Sequence, residues 1–192
     1  LQRSDGLTRS YSLANIPQKS NTLEFHIRRL PGGYFSEWVH DELKVGDTIA
    51  VSEPRGHCFY LPERREQGLL LVGTGSGLAP LAGILTDALS HGHTGPIHLF
   101  HGSRDLEDLY RIEEMRQLAK THQTFHYTPC LSGKHVPEGF ASGRATRSAP
   151  EKKPSPGLAI MSVRTPKVLH AVSASAYGQQ SDWRTRGHHG GA

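Results

Sequence analysis

The residues with the clearest chemical reading are Gly73-Thr74-Gly75-Ser76-Gly77-Leu78-Ala79-Pro80. A glycine-rich turn between a buried strand and a helix start can hold phosphate. Glycines admit a ligand close to the backbone, and the first N–H groups of a helix have no intrahelical partner. Gly73 and Gly75 fit the first two places of the dinucleotide fingerprint, but Leu78 stands where the third glycine belongs. Alone, the stretch reads equally as a nucleotide loop or as a tight strand-to-helix turn. Two other places can hold an anion. Arg9 and Tyr11 share a face if their segment is a strand, and an aromatic ring beside a guanidinium suits a planar ring system linked to phosphate. Gly32-Gly33 before a helix start at Ser36 is the second. Plain alternatives stand beside both: a solvated edge charge, a core aromatic and a simple hairpin.

Positioning such groups takes elements on both sides. Upstream, Arg9 to Leu13 has an alternating look and ends near Pro17. Leu23, Phe25 and Ile27 alternate with Glu24, His26 and Arg28, which predicts a half-buried strand. Pro31-Gly32-Gly33 breaks it, and Ser36 is predicted to cap a short helix with Phe35, Trp38, Val39 and Leu43 towards the core. Ile49 and Val51 alternate again between two turns, and a further strand is predicted over His57 to Leu61. Short strands with frequent turns predict a small antiparallel barrel. Downstream, Leu69 to Val72 reads as a strand covered on both faces. The helix after the glycine stretch carries Leu81, Ile84, Leu85 and Ala88 and closes near Ser90-His91-Gly92. Pro96 to Phe100 is a second strand, Asp105 a predicted cap for a helix bearing Leu109, Ile112, Met115, Leu118 and Ala119, and Thr124 to Leu131 a third strand. This alternation predicts a parallel sheet, with ligands beyond the carboxyl ends of its strands. The glycine loop, Gly102 to Arg104 and Ser132 all fall at that edge.

Composition removes other classes. The 192 residues suit one or two small domains. No apolar run is long enough to span a membrane, and no secretory segment is visible, so a cytoplasmic protein is expected. The two cysteines, Cys58 and Cys130, cannot hold a plant-type iron–sulfur cluster, which needs four thiolates. The net charge of +4 is too small and too scattered to argue for nucleic acid. The thirteen histidines lack a matching cluster of further ligands, so no metal site is expected.

The ordered series Arg9-Ser10-Tyr11-Ser12, His26-Ile27-Arg28, Gly32-Gly33-Tyr34-Phe35-Ser36, Gly46-Asp47, Pro54-Arg55-Gly56, the glycine loop, then His101-Gly102-Ser103-Arg104 with Asp108-Leu109-Tyr110 resembles the ferredoxin–NADP⁺ reductase family of FAD-containing electron-transfer enzymes. The nearest look is to the reductase components of bacterial oxygenases, over about residues 1–146. The resemblance implies an antiparallel β-barrel FAD-binding domain (1–64) followed by an α/β parallel-sheet nucleotide-binding domain (65–146). It implies that Arg9 holds the FAD pyrophosphate, that Tyr11 packs on the isoalloxazine ring, and that Ser12, followed by Leu13, lies near the flavin N5. The backbone of His26, Ile27 and Arg28 lies along the cofactor, and Gly33 and Ser36 complete the pyrophosphate site. Thr74 lies between flavin and nicotinamide, Gly73, Gly75 and Gly77 admit the pyridine nucleotide ahead of Pro80, and Gly102 and Arg104 lie near its adenosine side. Ser12 and Thr74 are the implied catalytic positions. The implied chemistry is hydride transfer from NADH or NADPH to FAD, then single electrons to an iron–sulfur protein or oxygenase component. Of the two donors NADH is expected, because the oxygenase reductases are mostly NADH enzymes. Arg104, which could meet a 2′-phosphate, argues the other way.

The series stops near Thr146. The family's Cys-Gly-x-x-x-Met strand and the helices around it are missing, so the sheet edge is expected to be open and the nucleotide domain marginal. Residues 147–192 read as a basic, poorly ordered tail, with one strand over Leu158 to Val163 and a weak helix over Val168 to Tyr177. A tail that binds nucleic acid or an acidic partner is one reading. Loss of the reading frame near Arg147 is the favoured one, because a required strand and helix are absent as well. Since Leu1 is the first residue, the sequence is also expected to lack its start. Beside the reductase, the alternatives are a non-catalytic remnant with weak flavin or nucleotide binding and a basic-tailed adaptor.

Overall fold

The computed structural model describes residues 1–16 and 22–149, and the backbones of two strands at 159–163 and 170–175. In the second half, β2 (Leu69–Thr74), β3 (Ile97–Ser103), β4 (Phe125–Leu131), β5 (Ala141–Ser142) and β6 (Ala159–Val163) form one sheet in the order β5-β4-β3-β2-β6, every neighbouring pair parallel. Helix α2 (Leu78–Ser90) covers one face. Its Leu78, Leu81, Leu85 and Ala88 are fully buried against Leu71, Ile97, Leu99 and Phe125, with Met115 of α3 (Ile112–Thr121) in the same core. Leu70, Val72, Cys130 and Ala145 form a smaller cluster on the other face, with Ala145 in the short helix α4 (Ala145–Ser148). Burial on both faces explains why Leu69 to Val72 shows no alternation.

The first half is antiparallel. Strand β1 (Thr22–Ile27) pairs with β7 (His170–Ser175), and isolated bridges join Gln2 to Thr8 and Ala50 and Leu13 to Phe25. Phe25, Ile27, Phe35 and Val39 make its core, the last two from helix α1 (Tyr34–Asp41).

Several local expectations need correction. Ser36 does not cap α1. Gly33 is the N-cap, and the Ser36 hydroxyl inside the helix donates to Gly33 O at 3.0 Å and accepts from Leu30 N at 3.1 Å. Arg9 to Leu13 and Ile49 to Val51 contribute single bridges rather than ladders, and His57 to Leu61 is irregular backbone leading into a 3₁₀ turn at Pro62–Arg64. An alternating pattern yields a strand only where a partner of matching length lies alongside. Asp105 precedes a 3₁₀ turn (Leu106–Asp108), not α3, which starts from Arg111 in the left-handed region at φ 56°. The stretch expected as a weak helix holds β7, which pairs antiparallel with β1 from Thr22↔Ser175 to Ile27↔His170. The β2 edge expected to be open carries β6 instead, paired from Leu69↔Ala159 to Gly73↔Val163. The unpaired backbone groups of a sheet edge accept an apolar segment whose register fits.

Candidate functional site

The residues expected at the site lie on two stretches, the first of which leaves the carboxyl end of β2. The chain leaves β2 through a 3₁₀ turn, Gly75–Gly77, with Gly75 at φ 52°, and enters α2. A methyl group on Gly73 would lie 2.8 Å from Leu81 Cδ1 and 3.0 Å from Gly77 O, so Gly73 lets the strand close onto its own helix. The Leu78 N–H already donates to the Gly75 and Ser76 carbonyls, and Pro80 in the first turn has no N–H. With those donors removed, the turn offers close backbone approach to a flat group rather than a full phosphate cradle. Thr74, Gly75, Gly77 and Pro80 therefore sit together, and Gly102 lies opposite Thr74 in the sheet register. Gly102 is small for a packing reason, since an added Cβ would come within 2.8 Å of Ala145 Cβ. Arg104 is exposed at the strand end, its Nε 3.6 Å from Asp105 Oδ2.

The second stretch runs from Arg9. Its Nη1 donates to Thr8 O at 2.7 Å, and Tyr11 packs at 5.7 Å against Phe35. Burial raises the Tyr11 hydroxyl pKa, which the nearby Arg9 charge partly offsets. Ser12 is exposed. Leu13 bridges to Phe25, and Leu13 O and Ala14 C lie 3.5 Å from where a Cβ on Gly83 would stand. The Arg9–Leu13 stretch thus ends against the helix that the glycine turn begins. At the other anion position, Gly33 accommodates the Ser36 hydroxyl, 2.5 Å from an added Cβ, and Glu37 Oε1 accepts from Gly32 N at 2.9 Å. The Ser36 hydroxyl and Gly32 N–H are therefore already satisfied internally.

Along β1 the alternation divides the expected residues by face. Ile27 is fully buried in the first-half core, while His26 and Arg28 are buried on the opposite face. Among the described residues, Arg28 Nε and Nη1 are buried without a hydrogen-bond partner. Burial lowers its pKa, against the attraction of Asp108. A buried guanidinium with unmet donors fits a phosphate-bearing cofactor, because charge-assisted bonds to phosphate would offset its desolvation.

The side chains of Glu24, His26, His101 and Tyr110 carried no role from sequence, where His26 was read only for its backbone along the cofactor. His26 Nδ1 lies 2.7 Å from Tyr110 Oη and its Nε2 lies 2.7 Å from Glu24 Oε1, which also accepts from Arg111 Nη1 at 3.1 Å. His101, fully buried beside the turn, places Nε2 3.3 Å from Gly75 O and Nδ1 3.3 Å from Tyr127 Oη. Burial lowers the pKa of His26 and pushes that of His101 down to about 4. The available signal was the period-two spacing of Glu24, His26 and Arg28, which places three polar groups on one strand face.

Comparison with known proteins identifies the two halves as domains. Residues 2–60 match the oxidoreductase FAD-binding domain and residues 71–157 the oxidoreductase NAD-binding domain. The chain belongs to the ferredoxin–NADP⁺ reductase-like family. Within it, the chain is 36% identical over 153 residues to the reductase subunit of an aromatic O-demethylase from Amycolatopsis, covering 78% of this chain and 46% of that protein. It is 37% identical over 146 residues to the ferredoxin–NAD(P)⁺ reductase component of a naphthalene 1,2-dioxygenase system from Pseudomonas putida, covering 76% and 44%. The crystal structure of the Amycolatopsis cytochrome P450 reductase GcoB superposes with a TM-score of 0.74 at 33% identity, covering 84% of this chain and 50% of that one. The chain therefore spans about half or less of the length of these relatives. The order of the family, an FAD-binding domain before an NAD-binding domain, is the order the sequence motifs imply. Among the described residues, no helix is long and apolar enough to cross a membrane.

Proposed function

We propose that this chain forms the flavin- and nucleotide-binding part of a cytoplasmic reductase that takes hydride from NADH onto FAD and passes single electrons to an iron–sulfur protein or oxygenase component. The observation that carries the reading is the buried Arg28 guanidinium with two unpartnered nitrogens, on the β1 face that meets the second half at Tyr110. Bound FAD would supply the conversion between a two-electron hydride donor and a one-electron acceptor. The chain's own residues bind and align. Arg9 and Arg28 supply positive charge for the pyrophosphate, and Tyr11 supplies an aromatic face for the flavin ring. Ser12 and Thr74 stand near the transfer path, and the Gly75–Gly77 turn lets the nicotinamide approach the backbone. Gly73, Gly33, Ser36 and Gly102 support these groups through packing. NADH is favoured over NADPH because the Asp105 carboxylate beside Arg104 weakens that arginine as a 2′-phosphate partner. The named relatives are reductase components of oxygenase and demethylase systems, which supports an oxygenase-type electron acceptor.

The test is spectroscopic. The purified chain supplied with FAD is expected to hold the yellow flavin absorbance through gel filtration and to bleach anaerobically with NADH faster than with NADPH. A chain that retains no flavin overturns the proposal, and faster bleaching by NADPH overturns the choice of donor.

A further inference from the structure

The face of β1 that points away from its own core presents Glu24, His26 and Arg28 in succession. The segment leading into α3 presents Arg111, Tyr110 and Asp108 to them in reverse order. Arg111 Nη1 meets Glu24 Oε1 at 3.1 Å, Tyr110 Oη meets His26 Nδ1 at 2.7 Å, and the Asp108 charge acts on Arg28. Arg111 is the one described non-glycine residue with positive φ, and its side chain is anchored to both Glu24 and Glu114. Strain of this kind persists only where surrounding contacts hold it. The Tyr110 ring then stands edge-on to His26 at 5.1 Å and to His101 at 5.5 Å, and His101 bonds the Gly75 carbonyl in the turn. A continuous series of contacts therefore joins the flavin-side strand to the glycine turn.

The hydrogen positions follow from the partners. Glu24 as a carboxylate only accepts, so His26 carries its proton on Nε2 and accepts the Tyr110 O–H at Nδ1. Gly75 O only accepts, so His101 donates from Nε2 and accepts the Tyr127 O–H at Nδ1. Both rings are satisfied as neutral imidazoles, in keeping with their burial.

We propose that His26 and Tyr110 are positioning residues that set the register between the two halves, and thereby the alignment of hydride donor and acceptor across the Gly75–Gly77 turn. The proposal deepens the reductase reading and rests on it for its kinetic consequence. Aligning two reacting rings is sensitive to shifts well below the size of a side chain, so a loosened register lowers the transfer rate more than it lowers binding.

The experiment uses the full chain with FAD, compared with Tyr110→Phe, His26→Gln and His26→Leu. Tyr110→Phe keeps the ring and removes the hydroxyl. It is expected to bind FAD and NADH within about twofold of the parent and to bleach on the order of tenfold more slowly at saturating NADH. His26→Gln, whose amide can still accept from Tyr110 and donate to Glu24, is expected to retain more rate than His26→Leu. Amide hydrogen exchange at residues 75–78, measured without cofactor, is expected to speed up in Tyr110→Phe. Parental saturating rates in both Tyr110→Phe and His26→Leu would overturn the proposal. If the parent itself binds no FAD, the reductase reading fails while exchange still decides the register: unchanged protection in Tyr110→Phe overturns it.

Discussion

Arg28 and His101 are both buried, and they meet the cost of burial in opposite ways. Arg28 stays charged, so its unmet donors are a cost until an anion arrives. Arg28→Met is expected to leave the thermal midpoint of the FAD-free chain unchanged or higher, and to weaken FAD binding by about tenfold or more, the worth of a charge-assisted hydrogen bond. Flavin fluorescence titration beside a melting curve checks both halves. His101 instead stays neutral, its pKa lowered from 6.5 to about 4 chiefly by burial. Above 6.5 it is neutral in the folded and unfolded chain alike, and no stability is lost. As the pH falls from 6.5 towards 4, the unfolded chain takes up a proton that the folded chain refuses, so stability declines. The full loss is about 3 kcal/mol at most, and burial of His26 acts in the same direction. Denaturant midpoints at pH 7 and pH 5 should show the decline, and His101→Gln should flatten it.

At the scale of elements, legibility followed burial. The β2–α2–β3–α3–β4 series was readable because each member carries enough apolar residues at its own period to bury a face: Leu78, Leu81, Leu85 and Ala88 along α2, Ile97 and Leu99 along β3. The weaker elements misled. Ser36 has the right chemistry for an N-cap, yet its hydroxyl works inside α1 because Gly33 leaves room for it. Asp105 likewise has cap chemistry, but the backbone turns twice before α3 begins. The expected loop residues share one edge because parallel strands end together, which periodicity alone predicts. The packing of Gly102 against Ala145 was not legible, since it depends on a short helix that returns from forty residues downstream in the chain.

For the whole molecule, the seam between the halves matters most. It is formed by Leu13 and Ala14 against α2 and by β1 against the Asp108–Arg111 segment. Gly83 lies in the interior of α2 at this seam, where an added Cβ would stand at ordinary contact distance, 3.5 Å from the Leu13 and Ala14 backbone. Gly83→Ala is therefore expected to be tolerated or to stabilise by about 0.5–1 kcal/mol through helix propensity. Gly83→Phe must push the halves apart, and it should lower FAD retention and the melting midpoint together. The outer strands β6 and β7 couple the halves in a second way, because consecutive strands of the later chain pair with β2 in one sheet and β1 in the other.

The sequence by itself determined the family, the order of its two domains and the residues that reach the carboxyl edge. Those follow from local pattern: glycines where the backbone must turn, apolar periods where it must be buried, and an ordered series of short motifs. Only the tertiary structure decided which of those residues are already satisfied and which are not. Ser36 and Gly32 find partners within the chain, two Arg28 nitrogens find none among the described residues, and His26, Tyr110 and His101 form a series no spacing announces. The reason is physical. Hydrogen bonds between Glu24 and Arg111 or His26 and Tyr110 span more than eighty residues, and their existence depends on how two faces distant in the chain come to rest against each other.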